Sequence, residues 1–317
     1  MKMTTRQFQR INRWMDIHAR PLDYARFKYH FKNGNKQKVV RILESYQNED
    51  GGFAYALDPD SWNPNSTPVQ TWMATEILHE INFTDANHPI IQQILKFLVT
   101  TEHFSDDKWA FTIPSNNDFP HASWWSYDTN KQQTPDYNPT IALVGFSLKY
   151  ASNQSKIYSI SYQIAKRAVF RFVHDQIQPD MHELACFVRF YEYISDKQFL
   201  FIDKERYVAK LIEWIEKLVP QNEEWGTNYI AKPSMYIDSP QSPFYEKNKK
   251  QADFEIEFIL NTLQEDDTWE VPWQWEEYPD EWAISKKWWK ADVGVKNLLY
   301  LKNFNKLAHL DNNVSLD

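Results

Sequence analysis

Apolar residues along this chain recur at three- and four-residue intervals. Val39, Val40, Ile42, Leu43 and Tyr46 share one helical face, as do Val69, Trp72, Met73, Ile77 and Ile81. Ile284, Trp288, Ala291, Val295 and Leu298 repeat the spacing near the C-terminus. A helix turns once in about 3.6 residues, so each set forms a stripe that must be buried against a neighbour. Strand-like alternation between turn signals is scarce. The pattern predicts an all-α protein.

Several predicted helices open with one device. Thr67 offers an N-cap, Pro68 pre-sets the first helical position, and Gln70 completes a capping box. Asn138 with Pro139, Asp180 with Glu183, and Ser242 with Pro243 repeat parts of it. The segments upstream also resemble one another. "LESYQNEDGGF", "KLVPQNEEWG" and "LNTLQEDDTW" each run from a helix end through Gln and acidic residues to an aromatic, and "FLVTTEHFSDDKW" is a looser version without the Gln. The aromatics Phe53, Trp109, Trp225 and Trp269 lie 56, 116 and 44 residues apart, the middle interval close to twice the first. A degenerate repeat of helix, acidic turn, aromatic, loop and capped helix accounts for this layout.

The first repeat carries a family likeness. Gln47, Gly51 and Phe53 resemble the Gln, Gly, one residue, Trp or Phe motif of the terpenoid cyclase and protein prenyltransferase superfamily. The resemblance implies an α/α toroid, a double-layered barrel of about five or six helix hairpins with alternate helices inside and outside. Residues 1–304 would form one such domain and residues 305–317 a poorly ordered tail. Class II cyclases of this superfamily place their site between two such domains. The likeness therefore implies either a homodimer or a site at the barrel mouth.

In a ring of hairpins, alternate connections lie at opposite ends. The long connections, roughly 48–66, 104–137, 222–242 and 265–282, are then expected to crowd one rim, and long loops in compact domains tend to be functional. These 92 residues hold 9 of the 14 Trp, and 20 Asp or Glu against 3 Lys. The rim is thus expected to be acidic and aromatic, with a net charge of −17 in a chain whose total is −8. Such a rim makes a poor cradle for a prenyl diphosphate, which calls for cations, a metal or helix N-termini. The zinc site of protein prenyltransferases includes a cysteine, and the surroundings of Cys186 do not match that pattern. No metal and no cofactor is expected. A neutral or cationic small ligand, or an oligosaccharide, fits the rim better.

Composition narrows the setting. The chain has 317 residues, 16% of them aromatic, which argues against disorder. A negative total charge argues against nucleic acid as a partner. One cysteine excludes an internal disulfide and suits a reducing compartment. With no apolar leader and no spanning run, membrane insertion is not expected and a soluble cytoplasmic protein is.

The candidate acids are Asp58 and Asp60. "DPDS" resembles the first three positions of the D-x-D-D motif of class II cyclases, with Ser61 in place of the fourth acid. The resemblance makes Asp60 the proton donor and Asp58 its tuning neighbour, and two close carboxylates raise one pKa, as a general acid requires. The competing explanation is an Asp-Pro turn that closes a loop. The longest loop adds His121, Trp124, Trp125, Tyr127 and Asp136, which mix a base, aromatics and a carboxylate. Trp62, Trp273 and Trp275 complete the aromatic set as walls for a cation or platforms for a sugar. Asp106-Asp107 and Asp266-Asp267 do not continue into D-D-x-x-D and are read as turn acids. Three functions follow from these residues: acid-initiated chemistry on a neutral isoprenoid, glycan binding or cleavage on a Trp-lined groove, and non-catalytic recognition of a cationic partner.

Overall fold

The computed structural model describes residues 1–129, 137–220 and 229–308. It is all-α, with eleven α-helices among the described residues. They are α1 (Thr5–His18), α2 (Pro21–Phe31), α3 (Lys36–Leu43), α4 (Pro68–Glu80), α5 (Pro89–Thr100), α6 (Thr140–Tyr150), α7 (Lys156–Val173), α8 (Met181–Ile194), α9 (Lys204–Leu218), α10 (Tyr245–Asn261) and α11 (Pro279–Asn303). A two-stranded hairpin, β1 (Phe104–Ser105) with β2 (Lys108–Trp109), interrupts the loop after α5.

The packing centres on α6. Every residue of this helix except Lys149 is buried, as befits a helix apolar on all sides. It touches α4, α7 and α8. Gly145 permits the close approach to α8, since a Cβ there would meet Phe190 Cα at 3.0 Å. At the other side α11 packs on α1, α2 and α10, so the last helix returns to the first. Residues 305–308, assigned above to the tail, extend this closure: Met3 N–H donates to Lys306 O and Ala308 N–H to Met3 O, both at 2.8 Å.

The repeat is visible as hydrogen bonding. Trp109 Nε1 donates to Leu98 O at 3.0 Å and Trp269 Nε1 to Ile259 O at 2.8 Å, each reaching a carbonyl near the end of the preceding helix. The Phe53 backbone N–H bonds Thr71 Oγ1 and that of Trp109 bonds Thr140 Oγ1, both at 3.1 Å. Trp109 thus pins its acidic turn between two successive helices, while Phe53 ties its turn to the following helix and Trp269 to the preceding one. All three rings are buried, which stabilises by about 1.5–3 kcal/mol for a ring of this kind. Trp225 lies outside the described residues.

Gly51 makes the first turn possible. Its φ is +94°, a region that side chains disfavour, and a Cβ would meet Gln93 O at 2.2 Å. Gly51→Ala is expected to lower stability by about 3 kcal/mol. Urea denaturation reads this as an earlier midpoint, and an unchanged midpoint would show that the turn can shift freely.

Of the predicted caps Thr67 and Asp180 hold, though their capping boxes do not close, and Ser242 does not cap α10, whose N-cap position is Phe244. Thr67 Oγ1 accepts from Gln70 N–H at 2.9 Å, and Asp180 accepts from both His182 and Glu183 N–H. The Gln70 side chain instead reaches Leu57 N–H, and Glu183 reaches Tyr137 N–H. Asn138 is not the cap of α6. Its Oδ1 accepts from the Cys186 thiol, and the cap position is Pro139. In α11 the buried stripe is rotated at its start, with Ser285 buried and Ile284 44% exposed.

Candidate functional site

Three of the four long connections meet at Asp60. Ser61 pairs with His121 as a β-bridge, Trp62 N–H donates to Pro120 O, and Ala122 N–H donates to Asp60 O. From the loop before α11, Trp275 Nε1 donates to Asp60 Oδ1 at 2.8 Å, and from α11 itself Trp289 Nε1 donates to the same oxygen at 2.7 Å. The fourth connection contributes Tyr229, whose ring packs edge-on against Trp273. Trp273 in turn packs edge-on against Trp289. The Trp273 N–H is buried beside the Asp60 carboxylate without completing a bond of normal geometry. Asp60 therefore sits among three indoles.

Asp58 and Asp60 are one turn. The Asp60 backbone N–H donates to Asp58 Oδ1 at 2.9 Å, and Ser61 N–H donates to Asp58 O. Both carboxyls are buried, at 4% and 3% exposure. Burial, and then the Asp60 charge, push Asp58 up to about 8, against the pull of the Asp60 N–H and Arg20. Burial also raises Asp60, but the indoles of Trp275, Trp289 and Trp273 favour its ionised form and hold it at about 6. The neighbours thus make the two acids unequal, with Asp60 the one whose ionised form the indoles favour. The D-x-D-D resemblance implied the donor role for Asp60; the indoles that bear on the pair come from distant segments.

The turn is braced from behind. Arg20 donates to Ala56 O at 2.7 Å and Leu57 O at 3.1 Å, and its guanidinium also pairs with Asp23. Trp62 Nε1 donates to Ser285 Oγ, which donates to Pro59 O at 2.7 Å. Deeper still, Arg26 joins Asp23 and Asp292 at 3.0 and 2.7 Å and also pairs with Glu80. These bonds tie α2, α4 and α11 to one another beneath the acids.

A small cavity opens beside Asp58. It is lined by Asp58, Ser61, Thr67, Val69, Gln70, Phe111, Asn116 and Trp125, with about 10 Å³ open to the centre of a water molecule. One wall belongs to a buried apolar cluster of Val69, Ala122, Trp125 and Trp275, against which Trp62, Trp72, Tyr278 and Trp282 pack.

The other expected residues fare differently. Trp62, Trp125, Trp273 and Trp275 join Asp58 and Asp60 as described. His121 is taken up by its own loop: Nδ1 donates to Phe119 O at 2.7 Å, and Nε2 bonds the Ser126 hydroxyl at 3.0 Å. Tyr127 is held by its backbone, which exchanges two hydrogen bonds with the Asn117 side chain. Trp124 is 42% exposed and outside the cluster. Asp136 lies outside the described residues. Asp106 and Asp107 adopt positive φ in the β1–β2 turn. Asp266 caps Thr268 and pairs with Lys290, while Asp267 pairs with Arg10. Sequence reasoning missed Gln70, Ser285 and Trp289. Ser285, Trp289 and Asp292 do follow one another at helical spacing, a polar stripe that a search for apolar positions passes over. No family model matches this chain, and no curated protein or solved structure matches it.

Proposed function

We propose that the chain is an α/α-toroid enzyme that uses Asp58 and Asp60 for acid–base chemistry on a neutral, hydroxyl-rich ligand of the oligosaccharide class. The observation that carries this reading is the inequality of the pair. Indole N–H donors favour charge on Asp60, while burial and that charge keep a proton on Asp58. Such a pair lets one group give a proton while its neighbour stabilises the positive charge that develops. The toroid is supported by the return of α11 to α1 and α2.

The buried carboxyls favour a polar ligand over a hydrocarbon, because a hydrocarbon beside Asp58 and Asp60 would deepen their desolvation and offer no hydrogen bond in return. Trp273, Trp289 and the half-exposed Tyr229 offer ring faces on which a sugar can stack. The same indoles favour a second reading, acid-initiated chemistry on a neutral isoprenoid with cation–π stabilisation. There too the proton would come from Asp58, with Asp60 as the tuning charge.

A thermal-shift panel separates these readings. It compares neutral oligosaccharides, an isoprenoid ammonium analogue and basic peptides on the wild type and Asp60→Asn. A ligand at 100 times its Kd adds about 2.7 kcal/mol, a shift of a few degrees. The expected result is a shift with oligosaccharides that shrinks in Asp60→Asn. A shift with the ammonium analogue alone would move the proposal to isoprenoid chemistry, and one with basic peptides alone would make this a binding protein.

A further inference from the structure

Two N–H groups beside Asp58 have no protein partner. Gln70 is 1% exposed, and its Oε1 accepts from Leu57 N–H at 2.9 Å, which fixes the orientation of the amide. The Nε2 end is left buried and unbonded. Trp125 is 8% exposed, and its Nε1 is likewise buried and unbonded. Both residues line the cavity that Asp58 also lines. A buried donor without a partner costs about 1–3 kcal/mol, so two at one cavity call for a common acceptor. The space is of the order that one water molecule needs and no more, and a buried water is stable where two to four polar groups converge.

We propose that the cavity beside Asp58 is a binding site for one water molecule, held by the N–H groups of Gln70 and Trp125 as donors and by the Asp58 carboxyl as acceptor. Two donors occupy the lone pairs of the water, so both of its O–H bonds point outward. One meets Asp58, and the other meets the hydroxyl of Ser61 or Thr67, which share the lining. The Asp58 carboxyl therefore accepts a hydrogen bond from the water as well as the one that Oδ1 accepts from the Asp60 N–H. Gln70 and Trp125 become positioning residues that hold this donor against the carboxyl.

The water site rests on packing and polar matching. Only its use in acid–base chemistry rests on the reading proposed above. The charged and titratable groups that act on Asp58 are Asp60 from its own turn, Arg20 from α2, Asp292 from α11, and Tyr229 from the fourth connection. None of these changes in a Trp125→Phe variant, which removes one donor and keeps an aromatic ring in the wall. Gln70→Leu is the second variant. It also takes from Leu57 N–H the nearer of its two acceptors, leaving Ala54 O at 3.3 Å, so Trp125→Phe carries the test if that protein fails to fold.

The experiment pairs a high-resolution crystal structure with carbon-13 NMR titration of the Asp58 carboxyl. The wild type is expected to show one ordered water within hydrogen-bond distance of Gln70 Nε2, Trp125 Nε1 and Asp58. In each folded variant that water weakens or is lost, and the Asp58 midpoint rises by about one pH unit as the carboxylate loses a donor. No density at that position in the wild type, or wild-type midpoints in the variants, overturns the proposal. An ordered water together with a flat ligand panel would sink the enzyme reading and leave this site standing.

Discussion

Arg26→Met is expected to lower stability by about 3–5 kcal/mol at neutral pH, more than any other single change considered for this fold. The guanidinium is 1% exposed and pairs with Asp23, Glu80 and Asp292, which reach it from α2, α4 and α11. Removing it leaves carboxylates in a buried site without their main partner. Lys296 still pairs with Asp292 and His30 with Glu80, so the loss is not total. The acid limb carries a second signature. Burial alone would raise Glu80, but Arg26 and His30 outweigh it and hold the carboxyl at about 2. A depressed carboxylate contributes stability that is present above its unfolded pKa and is lost as pH falls through its folded one. The wild type should therefore weaken between about pH 4.5 and 2, and Arg26→Met should show a shallower loss. Urea denaturation across that range checks both. A neutral-pH loss under 1 kcal/mol would mean that the network is hydrated.

Asp58→Asn should act in the opposite sense, on the alkaline side. The amide keeps the shape of the carboxyl and an oxygen for the Asp60 N–H, but it holds no titrating proton. In the wild type the folded state keeps the Asp58 proton up to about pH 8, whereas the unfolded chain releases it near pH 4. Between those values the native state binds more protons than the unfolded state, so stability falls as pH rises, and it levels off above about 8. The variant lacks that slope. Its stability relative to wild type should grow through this window and reach on the order of 3–5 kcal/mol by pH 9. Paired urea melts at pH 5, 7 and 9 measure it. Parallel curves would mean that Asp58 ionises at an ordinary pKa and is solvated, and the acid role would go with them.

Different parts of this molecule were legible to different degrees. The helices were readable because burial imposes a 3.6-residue stripe on any amphipathic segment. The repeat aromatics were readable because each is the first large ring after an acidic turn. The close pairing of Asp58 and Asp60 could be read from their spacing and their crowded loop, but the inequality of their surroundings could not. What separates them is donated by Trp275 and Trp289, and no local pattern links those positions to residue 60. Gln70 looked like a capping residue, and only the fold shows its amide turned toward the Leu57 turn. Arg26, Asp23 and Asp292 were invisible for a more general reason. A charged side chain on a helix is by default a solvated one, and burial becomes apparent only when three helices place their charges together. His121 shows the converse: a base in a long loop is attractive on paper, yet both its nitrogens serve the loop.

The distance along the chain between Asp60 and its indole partners has a consequence for synthesis. Trp275 and Trp289 lie 215 and 229 positions downstream. At about 5–20 residues per second a ribosome delivers the second of them roughly ten to forty-five seconds after Asp60. Until then the two acids belong to a turn with nothing to distinguish them, and the nascent chain carries no polarised pair. The closing helix thus acts as a timer: its return to α1 and α2 and the Trp289 bond to Asp60 form in one late step. Fragments that end before α11 should carry the whole "DPDS" turn and Trp275 but lack the Trp289 donor.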